Sequence, residues 1–141
     1  MGAMWVGQQP GGAKPAPYVV TNSSNWVYAG TGLHDGDEVP GIVGYEADQY
    51  MPDQPQPTAV NGTYVRLSHS PFTSALGPTV YQESTIYRAP SGAWVFDAGA
   101  IDWPWALYND EQRVADPRLQ RMTANVLNAF TAGPSAPAPG H

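Results

Sequence analysis

Two carboxylates beside a short apolar run offer the clearest chemistry in this chain. The run Gly41-Ile42-Val43-Gly44-Tyr45-Glu46 ends on an acid, and Asp48 follows two positions on. A carboxylate at a strand end is partly desolvated, which disfavours its ionised form and suits it to general acid/base work. Glu46 is therefore the candidate catalytic residue, against the plainer reading of an exposed or ion-paired strand end. The polar run His34-Asp35-Gly36-Asp37-Glu38 clusters oxygen donors that suit a hard cation. Its spacing does not match a calcium-binding helix-loop-helix, and a solvated turn on Asp35-Gly36 explains it better. Ser68-His69-Ser70 sets a histidine between hydroxyls. Neighbours on a strand face opposite ways, so Ser68 and His69 cannot form a nucleophile–base pair there, and His69 reads as a loop residue. Trp103 and Trp105 in Asp102-Trp103-Pro104-Trp105 are candidate ligand-binding residues, since exposed indoles stack on sugars or bases; packing over the sheet or helix is the competing reading.

Other chemistries are excluded. No cysteine is present, so disulfides and thiolate metal sites are out. Gly30-Thr31-Gly32 lacks the lysine and the strand–helix setting of a phosphate loop. No histidine pair has zinc-ligand spacing, and no residue is assigned as a metal ligand.

The elements that must position these groups are short. Residues 25–29, 41–46, 63–68, 79–87 and 93–97 read as strands from their aromatic and β-branched content. The last two, joined by Ala89-Pro90-Ser91-Gly92, predict a hairpin. Residues 51–61 are a proline-rich loop. The clearest element is a helix from Pro117 to about Phe130. Asp116 is a good N-cap, Pro117 suits the first helical position, and Leu119, Met122, Val126, Leu127 and Phe130 recur at helical spacing. Gly133 marks its stop. The expected class is α+β: short strands in a mixed or antiparallel sheet, closed by one C-terminal amphipathic helix.

The 141 residues suffice for one domain. Fifteen glycines and fifteen prolines argue against a helical bundle. The expected organisation is a flexible Gly/Pro-rich segment over 1–17, a folded domain over 18–132 and a flexible Pro/Ala tail over 133–141. A net charge of −6, with only six scattered Lys and Arg, disfavours nucleic acid and anionic membranes as partners. No apolar run reaches the roughly 18 residues of a membrane span. No signal peptide follows Met1-Gly2-Ala3-Met4, so the cytoplasm is favoured, and secretion stays open if a leader has been removed.

Three segments in order carry a family resemblance. They are Asn25-Trp26-Val27-Tyr28-Ala29-Gly30-Thr31-Gly32-Leu33, then Pro40-Gly41-Ile42-Val43-Gly44-Tyr45-Glu46-Ala47-Asp48, and an ending built of Ile86-Tyr87-Arg88-Ala89, Gly92-Ala93-Trp94-Val95-Phe96-Asp97-Ala98-Gly99, Trp103, Leu107 and residues 118–127. Over roughly residues 25–130 this order resembles the late part of the N,N-dimethylformamidase large subunit. The resemblance implies hydrolysis of formamides in a glutamine-amidotransferase-like α/β domain. It also implies a mononuclear iron held by two tyrosines and a glutamate, all upstream of the matching segment, so no cofactor is expected in this chain. Of the family's active centre only the Gly-Tyr-Glu motif carries over, as Glu46. Ala100 and Ala106 depart from the family pattern, which favours a hydroxyl residue and a glycine there. The chain is accordingly expected to be the C-terminal segment, or a stand-alone relative, of such an amidohydrolase. It is not expected to be catalytic alone, and its partners would be the remainder of a larger subunit or a second copy. The alternative is a non-enzymatic carbohydrate- or protein-binding β-domain.

Overall fold

The computed structural model describes residues 2–109 and 114–133. Among them are nine strands: β1 (Met4–Gln8), β2 (Ala16–Val19), β3 (Glu38–Val43), β4 (Glu46–Gln49), β5 (Val65–Arg66), β6 (Ser70–Thr73), β7 (Thr79–Gln82), β8 (Thr85–Arg88) and β9 (Trp94–Asp97). One α-helix, α1 (Pro117–Thr131), follows. The strands pair as β1–β4, β2–β3, β5–β8–β9 and β6–β7, all antiparallel. The class is α+β, as the sequence predicts. No parallel pair occurs among the described residues, so this segment does not itself build a doubly wound α/β layer.

Backbone bonds outside the ladders join the small sheets. Thr21 N–H donates to Leu67 O, and His69 N–H to Val19 O. Glu83 N–H donates to Asp48 O, and Asp48 N–H to Gly99 O. One buried amide gathers four elements. Gln82 Oε1 accepts from the Ser68 and Ser70 hydroxyls, and Gln82 Nε2 donates to Ser84 Oγ and Ala98 O. Ser70 Oγ accepts from Val19 N–H, and Ser68 Oγ from Ser84 N–H, so the buried hydroxyls are satisfied on both sides.

Four expectations change. Residues 41–46 are not one strand: β3 ends at Val43, β4 opens at Glu46, and the two pair with different partners. Residues 25–29 are not a strand: Trp26–Tyr28 form a single 3-10 turn. Asn25 Oδ1 accepts from Val27 N–H, and Trp26, Val27 and Tyr28 are all buried, where a half-exposed strand would bury alternate residues. Residues 79–87 are two strands broken at Glu83-Ser84, because β7 pairs with β6 whereas β8 pairs with β5 and β9. The Gly/Pro-rich start supplies β1, whose Met4 to Gln8 pair with β4, and Ala3 is buried. The tail beyond residue 133 lies outside the described residues.

The predicted hairpin forms, with Thr85 opposite Asp97 and Arg88 opposite Trp94. The helix also matches its prediction at both ends. Asp116 Oδ1 accepts from Arg118 N–H at 2.9 Å, and its carboxylate also takes the Arg118 guanidinium at 2.7 Å. Leu119, Met122, Val126 and Ala129 form the buried stripe, while Leu127 and Phe130 are exposed. The stripe covers the 3-10 turn, where Asn125 Nδ2 donates to Val27 O and Ala29 O. Below it Tyr18 donates to Tyr28 Oη at 2.9 Å, and Tyr28 donates to Leu67 O. Burial pushes the Tyr18 hydroxyl up to about 12 and raises Tyr28 as well.

Asp116→Ala should cost about 1 kcal/mol at neutral pH, the usual worth of an N-cap. The Arg118 side chain leads the interactions that hold the Asp116 carboxyl below its ordinary value. A depressed native value gives stability that is present above the unfolded-state value and lost as pH falls through the native one. Urea melts of the two proteins should therefore differ near pH 7 and converge in acid. A gap that persists unchanged at low pH would mean that the carboxylate is not the cap.

Candidate functional site

Of the sequence candidates, Glu46 and Trp105 border one face. Residues 44–45 turn the chain from β3 to β4, and the turn holds Tyr45 at φ 56°. That left-handed conformation is uncommon for a bulky side chain and costs about 1–2 kcal/mol. Gln9 N–H donates to Tyr45 O at 2.8 Å and fixes the turn, whose ring stands out in solvent. Glu46 opens β4 beside it, half-buried.

Glu46, Asp48 and Asp97 line one depression of about 240 Å³ with Trp5 and Ile101. Burial raises Asp48 above the ordinary carboxylate range, helped by the Asp97 and Glu46 charges. Burial also raises Asp97, opposed by the Gly99 amide. Asp97 Oδ1 accepts from Gly99 N–H at 2.9 Å, whereas its buried Oδ2 has no hydrogen-bond partner. Asp48 and Asp97 therefore hold their protons more tightly than ordinary surface carboxyls do. Asp97 was not singled out in the sequence, where it is simply the polar end of the Trp94–Asp97 strand.

The two tryptophans part company here. Trp103 is buried, set edge-on to Tyr18 and Phe96, and its indole N–H donates to Thr123 Oγ1 at 3.1 Å. Trp105 is 39% exposed and lies 6.0 Å from the Tyr108 ring. With Tyr45, Ile101 and Pro15 it lines a groove of about 490 Å³ next to the acidic depression. Ile101 belongs to both hollows, so Trp5, Ile101, Tyr45 and Trp105 form one exposed apolar band along the edge of Glu46.

A second constellation went unread in the sequence. Glu83, at the break between β7 and β8, has a side chain only 2% exposed. Its Oε1 accepts from Arg66 Nη1 at 3.2 Å and from His69 Nδ1 at 2.7 Å, and its Oε2 accepts from Tyr50 N–H at 2.8 Å. His69 stacks on Tyr81 with 4.1 Å between centroids, and Arg66 lies over the Tyr50 ring at 5.3 Å. The polar triplet Gln82-Glu83-Ser84 inside a β-rich run was the available signal.

His34 and Asp37 form an exposed pair 3.6 Å apart, and Asp35 caps Ser23 N–H, as a solvated turn would. Among the described residues no three His, Asp or Glu side chains group as metal ligands. Among them, too, no helix is long and apolar enough to cross a membrane.

A family model described as "N,N-dimethylformamidase beta subunit-like, C-terminal" matches residues 1–116. The matched span includes β1 and stops at the cap of α1. No curated protein matches the chain.

Proposed function

Because the chain belongs to the N,N-dimethylformamidase beta subunit-like, C-terminal family, we propose that it serves as the C-terminal domain of a formamide-hydrolysing enzyme. The subunit concerned is the large one, and this domain is not catalytic alone. The reaction adds water to an amide carbonyl and breaks the C–N bond, releasing a carboxylic acid and an amine. The domain contributes one wall and one carboxylate, Glu46, to a site completed by the rest of the subunit.

One observation carries this reading: the apolar band around Glu46. Trp5 is 58% exposed and Tyr45 60% exposed, and Ile101 and Trp105 continue the strip. Contiguous exposed aromatics beside titratable groups mark a surface that another protein surface covers. The rest of the same subunit is the occupant, because the family is defined as the C-terminal part of a subunit. The strained Tyr45 turn presents this band, and such outliers persist where the surrounding structure needs them. Covering the band would also remove water from the depression and raise Asp48 and Asp97 further.

The test uses the whole enzyme assembled from this chain and the rest of the subunit. Glu46→Gln should lower kcat on N,N-dimethylformamide by at least about 100-fold, the range of general acid/base groups. Trp5→Asp with Ile101→Asp should instead weaken assembly in analytical ultracentrifugation. Full activity of Glu46→Gln, or hydrolysis by the isolated chain, would overturn the reading.

A further inference from the structure

The Arg66–His69–Glu83 cavity lies apart from the Glu46 face and plays no part in the proposal above. It encloses about 410 Å³ and is lined by Thr21, Asn22, Arg66, Ser68, His69 and Glu83. Most of its polar lining is already committed. Thr21 Oγ1 and Asn22 Nδ2 both donate to Arg66 O. Ser68 Oγ is held by Gln82 and Ser84. Glu83 takes three donors and has no proton to give.

What remains open is Arg66 and His69. Arg66 spends only Nη1 on Glu83, and Nε and Nη2 have no further partner among the described residues. His69 spends Nδ1, leaving Nε2. The two side chains are 50% and 48% exposed, so both reach the cavity mouth. They meet the same oxygen, Glu83 Oε1, which brings the guanidinium and the imidazole within a few ångström of each other. Each also rests on an aromatic face, Tyr50 for Arg66 and Tyr81 for His69. A buried carboxylate and two rings thus fix a cationic fork and a ring nitrogen before any ligand arrives, which lowers the ordering cost of binding.

We propose that this cavity binds a carboxylate. The planar Nε–Nη2 edge of the guanidinium matches a carboxylate's two oxygens, and an imidazole held through Nδ1 adds a third donor when Nε2 also carries a proton. Glu83 orients both groups. The carboxylate can be a free small acid or the side chain of an acidic residue on a partner protein.

The experiment follows the backbone amide resonances of residues 66–69 and 83, together with the His69 imidazole where it is present, in the full chain by NMR at pH 6 and constant ionic strength. Sodium formate, sodium acetate, the blocked dipeptide N-acetylglutamyl amide and neutral acetamide are titrated separately. Saturable shifts with formate or acetate point to a free acid as the ligand; tighter binding of the glutamyl compound points to a partner's side chain. Arg66→Gln should weaken binding at least about tenfold. His69→Gln should also weaken it, and this variant keeps a donor for Glu83 if Arg66→Gln perturbs the fold. The inference is overturned if no carboxylate saturates, if acetamide binds as well, or if both variants bind as the parent does.

Discussion

Gly99→Ala is expected to destabilise the protein by about 3 kcal/mol, combining roughly 1 kcal/mol of left-handed strain with 1–3 kcal/mol of overpacking. Gly99 sits just after β9 at φ +65°. An added Cβ would lie 2.5 Å from Glu83 O and 2.7 Å from Gln82 Nε2. The first of these is backbone and cannot rotate away. The same residue donates to Asp97 Oδ1 and accepts from Asp48 N–H, so the turn cannot move without loosening the acidic depression. Displacing Glu83 O would in turn shift the carboxylate that holds Arg66 and His69. Thermal unfolding followed by tryptophan fluorescence should show a midpoint about 10 °C lower. A loss below about 1 kcal/mol would mean that this turn can adopt another conformation at little cost.

Leu119→Ala should cost about 3 kcal/mol, within the 2–5 kcal/mol range for truncating a fully buried leucine. Leu119 is completely buried, one turn into α1, and belongs to the same core as Tyr18, Trp26 and Trp103. The strands beneath it are two to six residues long and cannot collapse independently into the space left behind. Leu127→Ala is the internal control. Leu127 is 54% exposed, and its loss should change stability by no more than about 0.5 kcal/mol. Urea denaturation of both variants measures the difference. Equal costs would show that α1 buries a different face in solution.

The two outcomes also show where the sequence is readable. Asp116-Pro117 and the apolar spacing after it are local signals, and α1 begins where they place it. The hairpin across residues 89–92 is equally local. Leu127 and Phe130 fit the helical period but lie at the edge of the stripe, where the packing partner decides burial. Residues 25–29 have the composition of a strand, yet Asn25 closes a turn on Val27 through a single hydrogen bond. Composition does not report such competition from a side chain.

The Glu83 constellation was illegible for a related reason. Its partners Tyr50, Arg66 and His69 are 33, 17 and 14 positions away. Periodicity within 79–87 shows a charged residue in a strand, and nothing local reveals that a carboxylate is buried there. Glu46 was singled out because it ends a recognisable apolar run. Its companion Asp97 comes from a distant strand, so only the fold could bring the two together.

The Gln82 amide has a consequence for how the molecule opens. Isolated two-stranded pairings are marginal in water, and this fold contains three of them beside one three-stranded sheet. Ser68, Ser70, Ser84 and Ala98 all bond to that one side chain; Ser68 and Ser70 lie at the start of β6, and Ser84 and Ala98 flank the β8–β9 pairing. Neither β6–β7 nor β8–β9 can fray at this end without leaving part of a buried amide unsatisfied, at a penalty of about 1–3 kcal/mol. These two sheets are thereby tied together, and the first opening in this region is a loss of the whole knot.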